Sequence, residues 1–167
     1  MFSKDEVIIY GSYGVCRITE ITKKEFKGAM VDYYVLNPIF NPTSTIFVPA
    51  GNEALQKKMH KAFCRNEALE LIKSIPQVQP IWIEHENSRK TIYSDILTRR
   101  ERTEIIGLIM ALHIHQSRQI EKKRRLHISD QRFLNEAQKT LCEELAFALG
   151  MAPDDIPALI KSKYQRL

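Results

Sequence analysis

Val7-Ile-Ile-Tyr10, closed by Gly11-Ser-Tyr-Gly14 and reopening at Val15-Cys-Arg-Ile-Thr-Glu-Ile21, decides how the chain begins. The first run is β-branched and aromatic, the residues between the runs are turn formers, and the second run alternates imperfectly between apolar and polar. The pattern gives two short strands joined by a tight turn. Working outward, Lys23-Lys-Glu-Phe-Lys-Gly28 reads as a hairpin tip with its turn at Gly28. Val31-Asp-Tyr-Tyr-Val-Leu36 and Thr45-Ile-Phe-Val48 are further strands, and Asn37-Pro38 and Asn41-Pro42 bracket the loop between them.

Four or five short strands with no helix imply a small SH3-like or Tudor-like β-barrel over residues 1–52. Ala50-Gly51-Asn52 after Pro49 marks a boundary, and residues 53–167 read as an all-α helical bundle. The fold class is therefore α+β in two domains. Asn66 caps a helix over Glu67–Ser74 that Pro76 ends, and residues 76–83 form an extended link holding the single tryptophan, Trp82. A helix near 85–97 places Ile92, Tyr93 and Ile96 inward and leaves Arg89 and Lys90 outside. The next helix, near 100–122, carries Ile105, Ile106, Leu108, Ile109 and Leu112 on one face. Ser129 caps a helix running through Leu134, Ala137, Leu141 and Leu145 to Gly150, and a short helix begins at Pro153.

Charge divides where the pattern does. Residues 1–52 hold five basic and five acidic residues; residues 53–167 hold 20 basic and 15 acidic, so the net charge of +5 lies entirely in the helical part. Arg118, Lys122, Lys123, Arg124 and Arg125 face a single Glu121, and Arg99, Arg100 and Arg102 sit at the other end of the same helix. A solvated helix face accounts for such a run as well as a phosphate-contacting patch does. The second reading makes the helical domain a nucleic-acid binder that contacts backbone without reading sequence.

Composition excludes several classes. No apolar run approaches the roughly 20 residues a membrane span needs, and the N-terminus lacks a signal-peptide core. Cys16, Cys64 and Cys142 are odd in number and widely spaced, as expected of thiols in a reducing cytoplasm. His113 and His115, two apart on a helix, point to different sides and do not converge on a metal. Cys142-Glu-Glu144 lies on an amphipathic helix, which makes the thiol a core residue rather than a nucleophile. With no Gly-rich phosphate loop and no nucleophile elbow, neither an enzyme, a cofactor nor a small-molecule substrate is expected.

The ordered series Val7-Ile-Ile-Tyr-Gly-Ser-Tyr-Gly-Val15, Lys27-Gly28, Tyr33-Tyr-Val-Leu36 and Ile46-Phe-Val-Pro49 with Asn52 resembles the CarD/CdnL family of bacterial transcription regulators. The same module is similar to the RNA-polymerase-interacting domain of transcription-repair coupling factors. In the helical part, Glu67-Ala-Leu-Glu-Leu-Ile-Lys-Ser-Ile-Pro76, Trp82-Ile83 and the run from Asp130 to Gly150 continue the resemblance. It implies a cytoplasmic, nucleoid-associated regulator whose Tudor-like domain docks on the RNA polymerase β-subunit and whose helical domain contacts double-stranded promoter DNA, stabilising the open complex. On that basis Lys24, Thr45, Ile46 and Phe47 form the docking edge. Arg89, Lys90, Arg118, Lys122, Lys123, Arg124 and Arg125 contact phosphates, and Trp82 is either a wedge at a base step or a core anchor. The chain departs from the family twice: Asn87 stands where a tryptophan precedes a Ser-Arg-basic run, and Phe47 stands where a basic residue is common. A protein-interaction adaptor without DNA binding and an RNA- or ribosome-associated factor are the competing readings.

Overall fold

Short β-branched runs and tight turns make the first part of the chain a meander. The structure, a computed structural model, describes residues 2–164. Strands β1 (Val7–Tyr10), β2 (Val15–Phe26), β3 (Ala29–Pro38) and β4 (Ile46–Pro49) pair antiparallel in sequence order. A fifth strand, β5 (Met59–Lys61), returns beside β1, so the sheet order is β4-β3-β2-β1-β5. Lys27 and Gly28, at φ 52° and 79°, connect β2 to β3 in a two-residue turn with both residues left-handed. That turn suits the right-handed twist of the flanking strands. The outer part of this hairpin, beyond Tyr33, where β4 ends its pairing, and Arg17, where β1 ends its own, is a two-stranded ribbon.

One face of the sheet carries the core of this unit: Ile8, Tyr10, Cys16, Ile18, Tyr34, Leu36, Val48 and Met59 are all buried. Partly buried Phe2, Ile46, Ala50 and Leu55 close over it. Leu55 comes from a single helical turn, α1 (Glu53–Gln56), whose cap is the Asn52 side chain accepting from the Leu55 amide.

The chain separates into two compact units at Phe63/Cys64. The boundary expected after residue 52 thus moves later, because α1 and β5 complete the sheet unit and only the chain beyond them is purely helical. The second unit contains α2 (Arg65–Ser74), α3 (Glu86–Arg99), α4 (Arg102–Glu121), α5 (Ile128–Leu149) and α6 (Ile156–Tyr164). Its core is built from Ala68, Ile72, Tyr93, Ile96, Ile105, Leu108, Leu112, Leu134, Leu141, Leu145 and Ile156.

Three local expectations are corrected. Helix α2 begins earlier than Asn66 allows: Cys64 caps it, with its amide donating to Glu67 Oε2 at 2.7 Å in a capping box. Helix α5 is capped not by Ser129 but by His127, whose Nδ1 accepts from the Ser129 amide. In α3 the inward face is Arg89, Tyr93, Ile96 and Leu97, while Ile92 is exposed. Those positions follow the helical repeat, so one rotation of the helix exchanges an isoleucine for a buried arginine.

Candidate docking edge and nucleic-acid interface

Strand β4 lies at one end of the sheet, with β3 as its neighbour on one side. Alternation turns Val48 into the core and Phe47, 43% exposed, to the opposite face. Lys24 reaches across from β2, its Nζ 3.5 Å from the centroid of the Phe47 ring. That is a cation–π contact at a site open to solvent. Thr45 sits just before β4, its Oγ1 accepting from Asn37 Nδ2 at 3.2 Å. Ile46 is partly buried against the core. All four residues expected at the docking edge are therefore gathered on or beside one terminal strand. Sequence reasoning missed the apolar surface of the adjoining ribbon, where Phe26 and Met30 are exposed.

In the helical unit the expected phosphate-contacting residues part company. Arg118 is exposed on the last turns of α4, and Lys122 to Arg125 are exposed in the turn beyond it. Lys123 takes a left-handed φ of 57°, with its amide donating to Ile120 O and the Arg124 amide donating to Gln119 O. This C-terminal turn fans the four cations outward at the end of α4, where the helix dipole also favours positive charge. None of the five has a side-chain partner among the described residues. Arg132 on α5, also exposed, belongs to the same region and was not anticipated.

Arg89 is not available to phosphate, which overturns its assignment as a contact. Its side chain is 7% exposed and meets Asp130, 2% exposed, in a bidentate pair: Nε to Oδ1 at 2.9 Å and Nη2 to Oδ2 at 2.8 Å. Nη1 donates to the carbonyls of Ile83 and Glu84. The hydrogen bonds that Arg89 donates to Asp130 raise the guanidinium's pKa further, against the effect of burial. Lys90 is half-exposed but engaged with Glu86 at 2.5 Å, and that contact holds the Glu86 carboxyl below its usual range.

Trp82 is held in a stack. Its ring lies on His115 with centroids 4.1 Å apart and planes at 21°, and Arg89 Cζ lies 4.6 Å from the ring centroid. Nε1 donates to Glu84 at 3.0 Å. Burial lowers the pKa of His115. The segment carrying Trp82 is fixed to α4 by the Ile81 amide donating to Gly107 O and to α3 by Tyr93 OH donating to Ile81 O at 2.7 Å.

The second arginine group, at the start of α4, is absorbed by the fold. Arg99 pairs with Asp95 and Glu104, and Arg102 pairs with the buried Glu144 at 2.6 Å. Arg100 is buried in a left-handed cap at φ 59°, where desolvation lowers its pKa and nearby Glu144 raises it. His113 Nε2 lies 2.7 Å from the Gln138 amide nitrogen, and burial pushes the Cys142 thiol up to about 11. Among the described residues, no helix is long and apolar enough to cross a membrane.

The comparisons with known proteins bear on the sheet unit. Residues 2–61 match the family model of the CarD-like/TRCF RID domain, the RNA-polymerase-interacting domain. No match was found among curated proteins. The matched span runs from Phe2, which packs on the core, through the last strand, β5, and so takes in the whole sheet unit up to the last residues before Phe63. The N-terminal unit of this chain is a CarD-like/TRCF RNA-polymerase-interacting domain.

Proposed function

We propose that the protein is a CarD-like transcription regulator that joins RNA polymerase to promoter DNA and changes the stability of the open complex. The observation that carries this reading is the domain match over residues 2–61 on a unit whose terminal strand presents Phe47 beneath Lys24. A strand at the end of a sheet accepts a partner strand through its backbone, while the outward side chains choose the partner. The β4-β3-β2-β1-β5 order, a meander with its last strand beside the first, supports the SH3-like or Tudor-like reading of the sheet.

The DNA half of the proposal rests on Arg118, Lys122, Lys123, Arg124 and Arg125, exposed and without side-chain partners among the described residues. Clustered free cations bind duplex by releasing counterions, and this contact carries no sequence preference. A factor tethered to polymerase shifts the closed–open equilibrium by its difference in affinity for the two states. Arg89 is removed from this surface by its pairing with Asp130, and Trp82 serves as an anchor between the 78–83 segment and α4.

The test uses the full chain, purified RNA polymerase and duplex promoter DNA. Replacing Lys122–Arg125 with glutamine should weaken duplex binding and reduce the slope of log K against log salt by roughly 3–4, about 0.9 for each phosphate no longer neutralised. Phe47→Ala with Lys24→Ala should weaken polymerase capture and leave DNA binding unchanged. An unaltered salt slope refutes the DNA surface, and undiminished polymerase binding refutes the edge.

A further inference from the structure

We propose that the groove between the end of α4 and the start of α5 is a docking site for an acidic amphipathic helix of a partner protein. The groove has a volume of about 600 Å³, with Ile120, Leu126 and Ile128 among its walls and Arg124, Arg125 and Arg132 as its charged residues. No carboxylate lines it. The three guanidinium groups have no ion-pair or hydrogen-bond partner among the described residues, so the groove offers a surplus of positive charge around an apolar floor.

The isoleucines point to the kind of occupant. Ile120 is 65% exposed and Ile128 84%, the two highest values among the large apolar residues described in the helical unit. Ile128 is the first residue of α5, directly after the His127 cap, so its exposure is built into a helix start. Phosphate gains nothing from an isoleucine, and a solvated basic surface has no use for one. A ligand that suits both features is anionic and apolar at once.

Shape separates the two macromolecules that meet that description. An apolar side chain that opens a base step acts as a projecting wedge. Here the isoleucines wall a concavity between two helix ends, which suits a helix laid into a groove with apolar anchors at i and i+3 or i+4. Glutamates or aspartates flanking those anchors meet Arg124, Arg125 and Arg132, whose planar forks bind carboxylates in bidentate fashion. Lys122, Lys123 and Arg118 do not line the groove and remain with the duplex. The proposal goes beyond the DNA reading and shares Arg124 and Arg125 with it, so the isoleucines and Arg132 are what tell the two ligands apart.

The experiment measures fluorescence anisotropy of the full chain with a labelled peptide of roughly 15 residues, built of leucine and glutamate with leucines at i, i+3 and i+4. An isomer of equal composition with scrambled leucines, and a duplex DNA, serve as comparison probes. The expected result is binding of the amphipathic peptide about tenfold or more tighter than the scrambled one. Ile120→Ser with Ile128→Ser, two exposed positions whose change leaves the helical circular dichroism intact, should abolish that difference and leave duplex affinity unaltered. Arg132→Glu should weaken the peptide by about tenfold, as expected for loss of a central arginine contact. Equal binding of both peptides, or binding of neither, overturns the proposal. Loss of duplex affinity in the double serine variant also overturns it and assigns the groove to DNA.

Discussion

Removing the Asp130 carboxylate should unsettle the helical unit more than any surface change. Arg89 and Asp130 are 7% and 2% exposed at their side chains, and two charge-assisted bonds of 2.9 and 2.8 Å join them. Breaking a buried pair by deleting one partner costs about 3–5 kcal/mol, because the survivor is left charged and dry. In Asp130→Ala, Arg89 keeps its bonds to the carbonyls of Ile83 and Glu84. That places the loss at the lower end, about 3 kcal/mol. Against a typical total of about 5–15 kcal/mol this is a large fraction. With a urea dependence of about 1–3 kcal/mol/M, the unfolding midpoint should fall by about 1–3 M. The assay is urea unfolding at neutral pH followed by fluorescence of Trp82, the only tryptophan, which sits 4.6 Å from Arg89 Cζ. Arg89→Met with Asp130→Leu removes both charges and should recover much of the loss, giving a coupling of about 2 kcal/mol in the cycle. A cost below about 1 kcal/mol for Asp130→Ala, or strictly additive single effects, would refute the idea that this pair organises the unit.

Two further changes probe the same region. Gly107→Ala should destabilise by about 1–3 kcal/mol although alanine is the better helix former, since its Cβ would meet Gln79 O at 2.8 Å and Ile81 Cγ1 at 2.9 Å. Displacement of the 79–82 segment should then appear as a red shift in Trp82 emission, and an unchanged spectrum with raised stability would contradict it. Tyr93 is fully buried, and desolvation pushes its phenol up to about 12 from an ordinary 10. Because the folded form holds its proton longer than the unfolded one, stability is complete below pH 10 and should fall between 10 and 12, by about 2–3 kcal/mol in all. Absorbance near 295 nm against pH checks this: the latest part of the tyrosine titration of the native protein should shrink in Tyr93→Phe.

The strands were legible because their residues speak locally. Val7–Tyr10 is bounded by turn formers and matches β1 at both ends, and Gly28 marks the turn that Lys27 and Gly28 do make. Strand β5 was not legible, since Met59-His-Lys61 has no β-branched run and owes its conformation to the edge of β1. The rotation of α3 was misread for a different reason. Hydropathy sends arginine outward, whereas the partner that lets Arg89 turn inward lies 41 positions later. Cys64 and His127 are uncommon helix caps, so the nearby Asn66 and Ser129 drew the assignments. At the candidate site, β4 and the cations at 118–125 were readable from composition and order. Whether each cation was free was not, because Glu104, Asp130 and Glu144 reach their arginines only through the fold.

The outer β2–β3 ribbon has no third strand beside it, so its length is uncoupled from the core. A pair of residues added to each side of the Lys27-Gly28 turn would lengthen the arm and leave every inward side chain from Ile18 to Leu36 facing as before. A single added residue on one side would leave the two strands unequal, to be taken up as a bulge or a one-residue slip in the pairing of the outer arm. Insertions tolerated here should therefore come in steps of two per strand, making the arm's reach an adjustable dimension of the domain while its core stays constant.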